Sequence, residues 1–100
     1  MMPFTIHCID VQNSLQNYIW LLEHTASHQV VVIDPTEAGL VQDYCAEHGL
    51  ILSQIWLTHW HKDHIGGVPG LIQGQNLPVY GPRAELSKIP FITHPLEHEE

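Results

Sequence analysis

Hydrophobic residues cluster in the first sixty positions of the chain in a pattern that predicts β-strands. Strands are predicted over 4–9, 17–22, 30–34 and 50–58, because these segments are rich in β-branched and aromatic residues. The first alternates apolar and polar positions, which predicts a half-exposed strand. The unbroken apolar run at 30–34 predicts a strand covered on both faces. The polar stretches DVQNSLQ and EHTASH predict hairpin turns between the first three strands.

One helix is predicted between the third and fourth strands. Apolar and aromatic residues recur there at helical spacing, Thr36 in DPTEAG is a candidate N-cap, and Gly49 is a natural stop. The helical positions are Leu40, Val41, Tyr44, Cys45 and His48. A strand, a helix and a strand in this order predict a βαβ unit, so the two strands are expected to be parallel.

The remaining forty residues carry weaker signals. HIGGVPGLIQGQ predicts a short helix interrupted by Gly and Pro, and LPVYGP predicts a short strand that ends in a turn. The segment AELSKIPFITHPLEHEE has no firm period. No repeat, linker or second domain is indicated, so residues 1–100 are treated as one unit, either a small domain or part of a larger one.

Composition narrows the classes of partner and compartment. The chain is 44% hydrophobic and 14% charged, which is typical of globular proteins. Its net charge of −8 disfavours nucleic acids and anionic membranes as partners. No transmembrane run or signal peptide is indicated, so a cytoplasmic location is expected. Cys8 and Cys45 are expected to be free, partly buried thiols. A set of scattered histidines is expected at the surface, namely His7, His24, His28 and His48.

The stretch LTHWHKDHIGG, residues 57–67, holds the candidate chemistry. His59 and His61 are two apart in extended chain, so both imidazoles can face one cation. Asp63 and His64 are adjacent and can face a neighbouring position. Imidazole and carboxylate ligands suit zinc, iron or manganese, and two metal ions would lower the pKa of a water held between them. The pattern therefore predicts metal ligation by these four residues.

The motif THWHKDHIGG resembles the THxHxDHxGG signature of the metallo-β-lactamase superfamily. QNYIWLLEH, VVIDPTEA and LPVYGP further resemble one branch, glyoxalase II or hydroxyacylglutathione hydrolase, in order and at compatible spacing. The resemblance implies an α/β (α+β) fold: the N-terminal half of an αββα sandwich, with a mixed β-sheet and flanking helices.

The same resemblance implies the roles of individual residues. His59 and His61 would bind a first divalent metal ion, and Asp63 and His64 a second, with zinc the first choice and iron or manganese as alternatives. Asp63 would also be the candidate for proton handling, and Asp34 would support the site by hydrogen bonding. The implied reaction is hydrolysis of a glutathione thiolester such as S-lactoylglutathione, a step of methylglyoxal detoxification, by a metal-activated hydroxide.

The chain also departs from the family pattern. The downstream histidines and the bridging aspartate of the family are absent, and His94 and His98 are weak substitutes. Three basic side chains remain as candidates for binding an anionic substrate, and none is favoured: Lys62, Arg83 and Lys88. Residues 1–100 are therefore interpreted as a partial domain, weakly active or inactive alone. Its inner sheet face is expected to be open and to cause self-association.

Two other interpretations stay open. The motif is shared by lactonases, RNA-processing nucleases and mono-iron persulfide dioxygenases, although the acidic charge disfavours the nucleases. A non-catalytic metal-binding module is the alternative of a different class, because the four-residue ligand set is intact while the remaining ligands are missing.

Overall fold

A single mixed sheet of six strands forms the centre of the molecule, seen in a computed structural model that describes residues 4–12, 18–58, 66–73, 77–85, 89 and 92–96. The strands are β1 (Phe4–Asp10), β2 (Tyr18–His24), β3 (Gln29–Ile33), β4 (Ile51–Trp56), β5 (Val79–Pro82) and β6 (His94–Leu96). The helices are α1 (Ala38–His48) and α2 (Val68–Ile72), and a 3-10 turn covers Arg83–Glu85. The strands lie in the order β1-β2-β3-β4-β5-β6, so neighbours in sequence are also neighbours in space.

The sheet changes from antiparallel to parallel at β3. β1, β2 and β3 pair antiparallel, whereas β3, β4, β5 and β6 pair parallel. The predicted parallel pairing across the β3–α1–β4 unit is therefore confirmed. The turn at residues 25–28 confirms the second predicted hairpin, and the first falls on residues 13–17, outside the described part of the chain. β6 was not predicted, because a three-residue strand is too short to give a period.

Helix α1 ends as predicted and begins later than predicted. It stops at Gly49, whose φ of 66° is the left-handed conformation that glycine adopts most easily. Its N-cap is Glu37 in extended conformation, without a side-chain cap, so the predicted cap at Thr36 is wrong. The bend at residues 34–35 delays the helix, and the Thr36 hydroxyl is buried without a hydrogen-bond partner in the described residues.

The first face of the sheet, here called the covered face, packs against both helices. Gly70 of α2 approaches α1 so closely that a Cβ there would lie 2.8 Å from the Ala38 Cβ. The fully buried side chains of the strands are Ile19, Leu21, Val30, Val32, Ile55 and Val79. Val41, Cys45, Val68 and Leu71 complete the same cluster from the helices. This layer is the hydrophobic core of the described structure.

The second face, here called the open face, has no helix over it among the described residues. Its large apolar side chains are well exposed, for example Ile6 at 69% and Trp20 at 46%. Val31 and Ile33 are only half-buried, so the prediction that β3 is covered on both faces is wrong. One row of paired positions crosses all six strands of this face: Cys8, Trp20, Ile33, Trp56, Tyr80 and His94.

Cysteine burial matches the prediction only in part. Both thiols are free, but Cys45 is buried in the core while Cys8 is exposed on the open face. Burial raises the pKa of the Cys45 thiol. None of the helices in the described ranges is both long enough and apolar enough to cross a membrane.

Candidate metal centre

The predicted ligands His59, His61, Asp63 and His64 lie outside the described residues, but the chain on both sides of them is described. Thr58 precedes them, two residues after the end of β4, and the structure takes the chain up again at residue 66, just before α2. These two flanks define where the candidate metal loop leaves the sheet and where it returns.

Asp34 holds the upstream flank. Its Oδ1 accepts a hydrogen bond from the backbone N–H of Thr58 at 2.8 Å, and its Oδ2 accepts one from the Thr58 hydroxyl at 2.6 Å. The aspartate is 8% exposed, so its charge is largely removed from water. Because a buried carboxylate must be satisfied by hydrogen bonds, this pairing stabilises Asp34 and fixes the residue next to His59.

The backbone of Asp34 is unusual in a way that serves this contact. Its φ of 50° lies in the left-handed region, which aspartate tolerates better than most residues and which costs about 1–3 kcal/mol when it is strained. Its N–H also donates to the Trp56 carbonyl at 2.9 Å. The bend thus brings the amide and the carboxylate of Asp34 to the end of β4 together.

Gly67 holds the downstream flank. Its N–H donates to the Pro35 carbonyl at 2.7 Å. A Cβ at this position would lie 2.7 Å from the same oxygen and 2.8 Å from the Ala38 nitrogen, both of which are backbone atoms. Gly67 thus allows the two backbone segments to approach closely. Only glycine fits without moving the chain.

Two consecutive residues therefore hold both ends of the candidate loop. Asp34 accepts two hydrogen bonds from Thr58, and the Pro35 carbonyl accepts one from the Gly67 N–H. This turn follows the carboxyl end of β3, beside the carboxyl end of the parallel strand β4. The carboxyl ends of parallel strands are a common place for ligand sites in α/β proteins. Asp34 and Pro35 therefore contact Thr58 and Gly67, which lie more than twenty residues further along the chain.

The donor chemistry of the loop fits a divalent metal ion. Two imidazoles, one carboxylate and a further imidazole within six positions are borderline ligands suited to zinc, iron or manganese. Outside this loop, the described ranges contain no group of three or more His, Cys, Asp or Glu side chains that could hold a metal ion. Both carboxylate oxygens of Asp34 accept hydrogen bonds from Thr58, the residue just before the loop.

Comparison with known proteins identifies the family. A family model described as the metallo-beta-lactamase superfamily matches residues 13–90, more than three quarters of the chain. The chain belongs to the metallo-beta-lactamase superfamily. Membership implies the use of divalent metal ions, and it confirms the α/β class expected from the sequence.

Individual relatives of this superfamily member agree with that assignment. A protein named hydroxyacylglutathione hydrolase from Aliivibrio salmonicida (strain LFI1238) is 52% identical over 81 residues, which cover 80% of this chain and 31% of the relative. The crystal structure of ETHE1 from Myxococcus xanthus has a TM-score of 0.77 at 26% identity, covering 96% of this chain and 42% of that one. TTHA1623 in a di-iron-bound form has a TM-score of 0.69 at 33% identity, covering 81% and 40%.

This chain spans only part of the length of the relatives that it matches. The chain spans about 31% of the length of the hydroxyacylglutathione hydrolase that it matches. Relatives named hydroxyacylglutathione hydrolase support the resemblance to the glyoxalase II branch.

His94, considered as a substitute ligand, lies on β6. Its exposed ring stacks on Tyr80 with ring centroids 4.6 Å apart, and its Nδ1 lies 2.8 Å from the Thr93 hydroxyl. β6 is two strands from β4, so the ring is roughly 10 Å from that strand across the sheet. Its role as a ligand stays a prediction. His98 lies outside the described residues.

A second polar cluster was not predicted. His7 was expected at the surface, but its side chain is only 16% exposed, because Glu23 points to the covered face and pairs with it. His7 Nε2 donates to Glu23 Oε1 at 2.7 Å, His28 Nδ1 donates to Oε2 at 2.8 Å, and His7 Nδ1 lies 2.7 Å from the Tyr44 hydroxyl. These hydrogen bonds, from His7 first and then from His28, hold the pKa of Glu23 below its usual range.

The period of β2 contained the signal for this cluster. Glu23 has the same parity as Ile19 and Leu21, so an inward carboxylate could have been inferred from the alternation.

Proposed function

We propose that this chain carries the metal-binding part of an enzyme that hydrolyses glutathione thiolesters, with S-lactoylglutathione as the typical substrate. The observation that carries the proposal is the motif THWHKDHIGG, with Asp34 and Pro35 hydrogen-bonded to its two flanks, in a chain that is 52% identical over 81 residues to a hydroxyacylglutathione hydrolase. The corresponding role is methylglyoxal detoxification in the cytoplasm, and residues 1–100 form part of a larger domain.

The roles of the loop residues follow the donor chemistry. His59 and His61 would hold a first divalent ion, Asp63 and His64 a second, with zinc first and iron or manganese as alternatives. Bound there, the ions would supply a water of lowered pKa and stabilise negative charge on the carbonyl oxygen. Asp63 is the residue for proton handling. Asp34 acts through Thr58 by fixing the backbone next to His59, so it is a positioning residue.

The first test is metal content by elemental analysis, run beside hydrolysis of S-lactoylglutathione on the same sample. We expect bound metal in the wild-type chain and its loss in a His59→Ala, His61→Ala double variant. The matched control removes two exposed histidines elsewhere, His24→Ala with His48→Ala, and should retain the metal. A wild-type chain that binds no metal would contradict the proposal directly.

Substrate comparison separates the alternatives. Slow hydrolysis of the thiolester that disappears in the His59→Ala, His61→Ala variant would support the proposal. Hydrolysis of a lactone instead would assign the site to a lactonase. A single iron per chain, with oxidation of glutathione persulfide, would assign it to a persulfide dioxygenase. Bound metal without turnover of any of these substrates, persisting when the missing half of the domain is supplied in trans, would support a non-catalytic metal-binding module.

A further inference from the structure

The hydroxyl group of Thr36, on the turn that leads from β3 to α1, is buried and has no hydrogen-bond partner among the described residues. Most buried hydroxyl groups in folded proteins form at least one hydrogen bond. A group without one has lost its hydrogen bonds to water and gained none in return, which lowers the stability of the fold. We therefore expect this hydroxyl to have a partner in the functional state of the protein.

Helix α1 does not provide that partner. A side chain caps a helix from the N-cap position, and here the N-cap is Glu37, so Thr36 lies one residue before it. No side-chain hydrogen bond caps the start of α1, and its first turn contains no acidic residue. The helix start therefore leaves the Thr36 hydroxyl to a group outside the helix.

The residues on either side of Thr36 contact the chain where it returns from the candidate metal loop. The Pro35 carbonyl, directly before Thr36, accepts a hydrogen bond from the Gly67 N–H at 2.7 Å. A Cβ on Gly67 would lie 2.9 Å from the carbonyl carbon of Glu37, directly after Thr36. The returning chain therefore crosses the turn at the position of Thr36. Asp34, two residues earlier, holds the other end of the same loop through its two hydrogen bonds.

We propose that Thr36 is a further positioning residue of the candidate metal centre, and that its hydroxyl donates a hydrogen bond to the segment 59–65 when that segment holds its metal ions. The inference rests on the proposed function, because it requires metal binding by this segment. Asp34 and Pro35 act on the two ends of the loop, whereas Thr36 acts between them. A hydrogen bond formed only in the metal-bound form contributes its full free energy to the affinity, about tenfold for an ordinary one.

Removal of the hydroxyl should therefore raise the stability of the metal-free chain and lower its affinity for metal. The test compares the wild type with Thr36→Val, in which a methyl group of nearly the same size replaces the hydroxyl. In a chelator, the melting temperature of the variant should be higher by about 4–8 °C, the shift expected when one unpaired polar group is removed from a chain of this length. Its dissociation constant for Zn²⁺, measured by competition with a chromophoric chelator, should be about tenfold larger.

Two further variants separate this role from a general effect on folding. Thr36→Ser retains the hydroxyl and should bind Zn²⁺ as the wild type does, and Thr5→Val makes the same exchange at an exposed position of β1 and should leave the zinc affinity unchanged. Equal zinc affinity in the wild type and Thr36→Val would overturn the inference and leave the proposed function intact. A lower melting temperature of Thr36→Val in chelator would show that the hydroxyl has a partner without metal, such as a buried water, and would overturn it as well. A wild-type chain that binds no Zn²⁺ would overturn both.

Discussion

Leu21 and Leu22 are neighbours in β2, yet they lie in different surroundings. Leu21 points to the covered face and is fully buried beneath the helices, whereas Leu22 points to the open face and is only half-buried. The same contrast extends across the sheet. The covered face is aliphatic and closely packed, while the open face is aromatic and exposed. The difference teaches that the stability of the described structure comes mainly from the covered face, and that the open face contributes less to it.

The largest predicted effect is the difference between the two leucines in how much an alanine substitution lowers the free energy of unfolding. Leu21→Ala removes a buried side chain and leaves a cavity, so we expect a loss of about 2–5 kcal/mol in the free energy of unfolding. Leu22→Ala should cost about 1 kcal/mol, the typical value for a point substitution. Urea denaturation at low protein concentration measures both. Equal losses would mean that the open face is packed as tightly as the covered one.

Asp34→Ala should have the next largest effect, because it removes two hydrogen bonds to Thr58 and keeps the left-handed bend. Loss of these hydrogen bonds should lower the free energy of unfolding by about 1–3 kcal/mol and should also reduce metal retention. Asp34→Asn retains one carbonyl acceptor and tolerates the bend, so its loss should be smaller. Asp43→Ala, at an exposed acid of α1, is the control. Full metal retention in Asp34→Ala would contradict the positioning role.

Substitution of Glu23 tests whether its carboxylate, on the covered face of the sheet, contributes to stability in a pH-dependent way. Its pKa in the folded chain lies below the usual value of 4.5, so the unfolded chain binds the proton more readily. The stabilisation is therefore complete above pH 4.5 and is lost as the pH falls through the lower folded value. The difference in stability between wild type and Glu23→Gln should shrink as the pH falls below 4.5, through the lower pKa of the folded chain. A difference that grows on acidification would reverse the assigned sign.

The smallest effect on stability is expected at Ile6, the most exposed large side chain on the open face. Ile6→Thr keeps a β-branched side chain and should change the free energy of unfolding of the monomer by no more than about 0.5 kcal/mol. Thermal denaturation at about 1 μM checks this, because association would add stability at higher concentration. A large loss at this concentration would show that the monomer itself depends on the open face.

Much of this architecture could be predicted from periodicity. The early strands, the helix and the parallel β3–β4 pair depend on local patterns of apolar residues, and these patterns are strong between residues 4 and 56. Which face of β1 is covered could not be read in the same way, because its more apolar positions, such as Ile6, lie on the open face and His7 lies beneath α1. Burial there is decided by Glu23 and Tyr44, which belong to other elements.

The sequence predicted which residues form the candidate site, but not how the surrounding chain is arranged in space. The residue types between Thr58 and Gly67 indicate ligands because few other functions need so many imidazoles so close together. The support from Asp34 was expected from the resemblance, but the left-handed φ and the partner carbonyl of Pro35 depend on how β3 and β4 meet. Tertiary geometry of this kind has no period in the sequence.

The two anchors on the turn at residues 34–35 have a consequence for the entropy of metal binding. A segment of about nine residues with free ends would lose roughly 2 kcal/mol of chain entropy on closing into a loop. Here the fold has already closed it through Thr58 and Gly67. A cation that gathers its ligands from this segment meets a loop of fixed span, so less of its binding free energy is lost to ordering the chain.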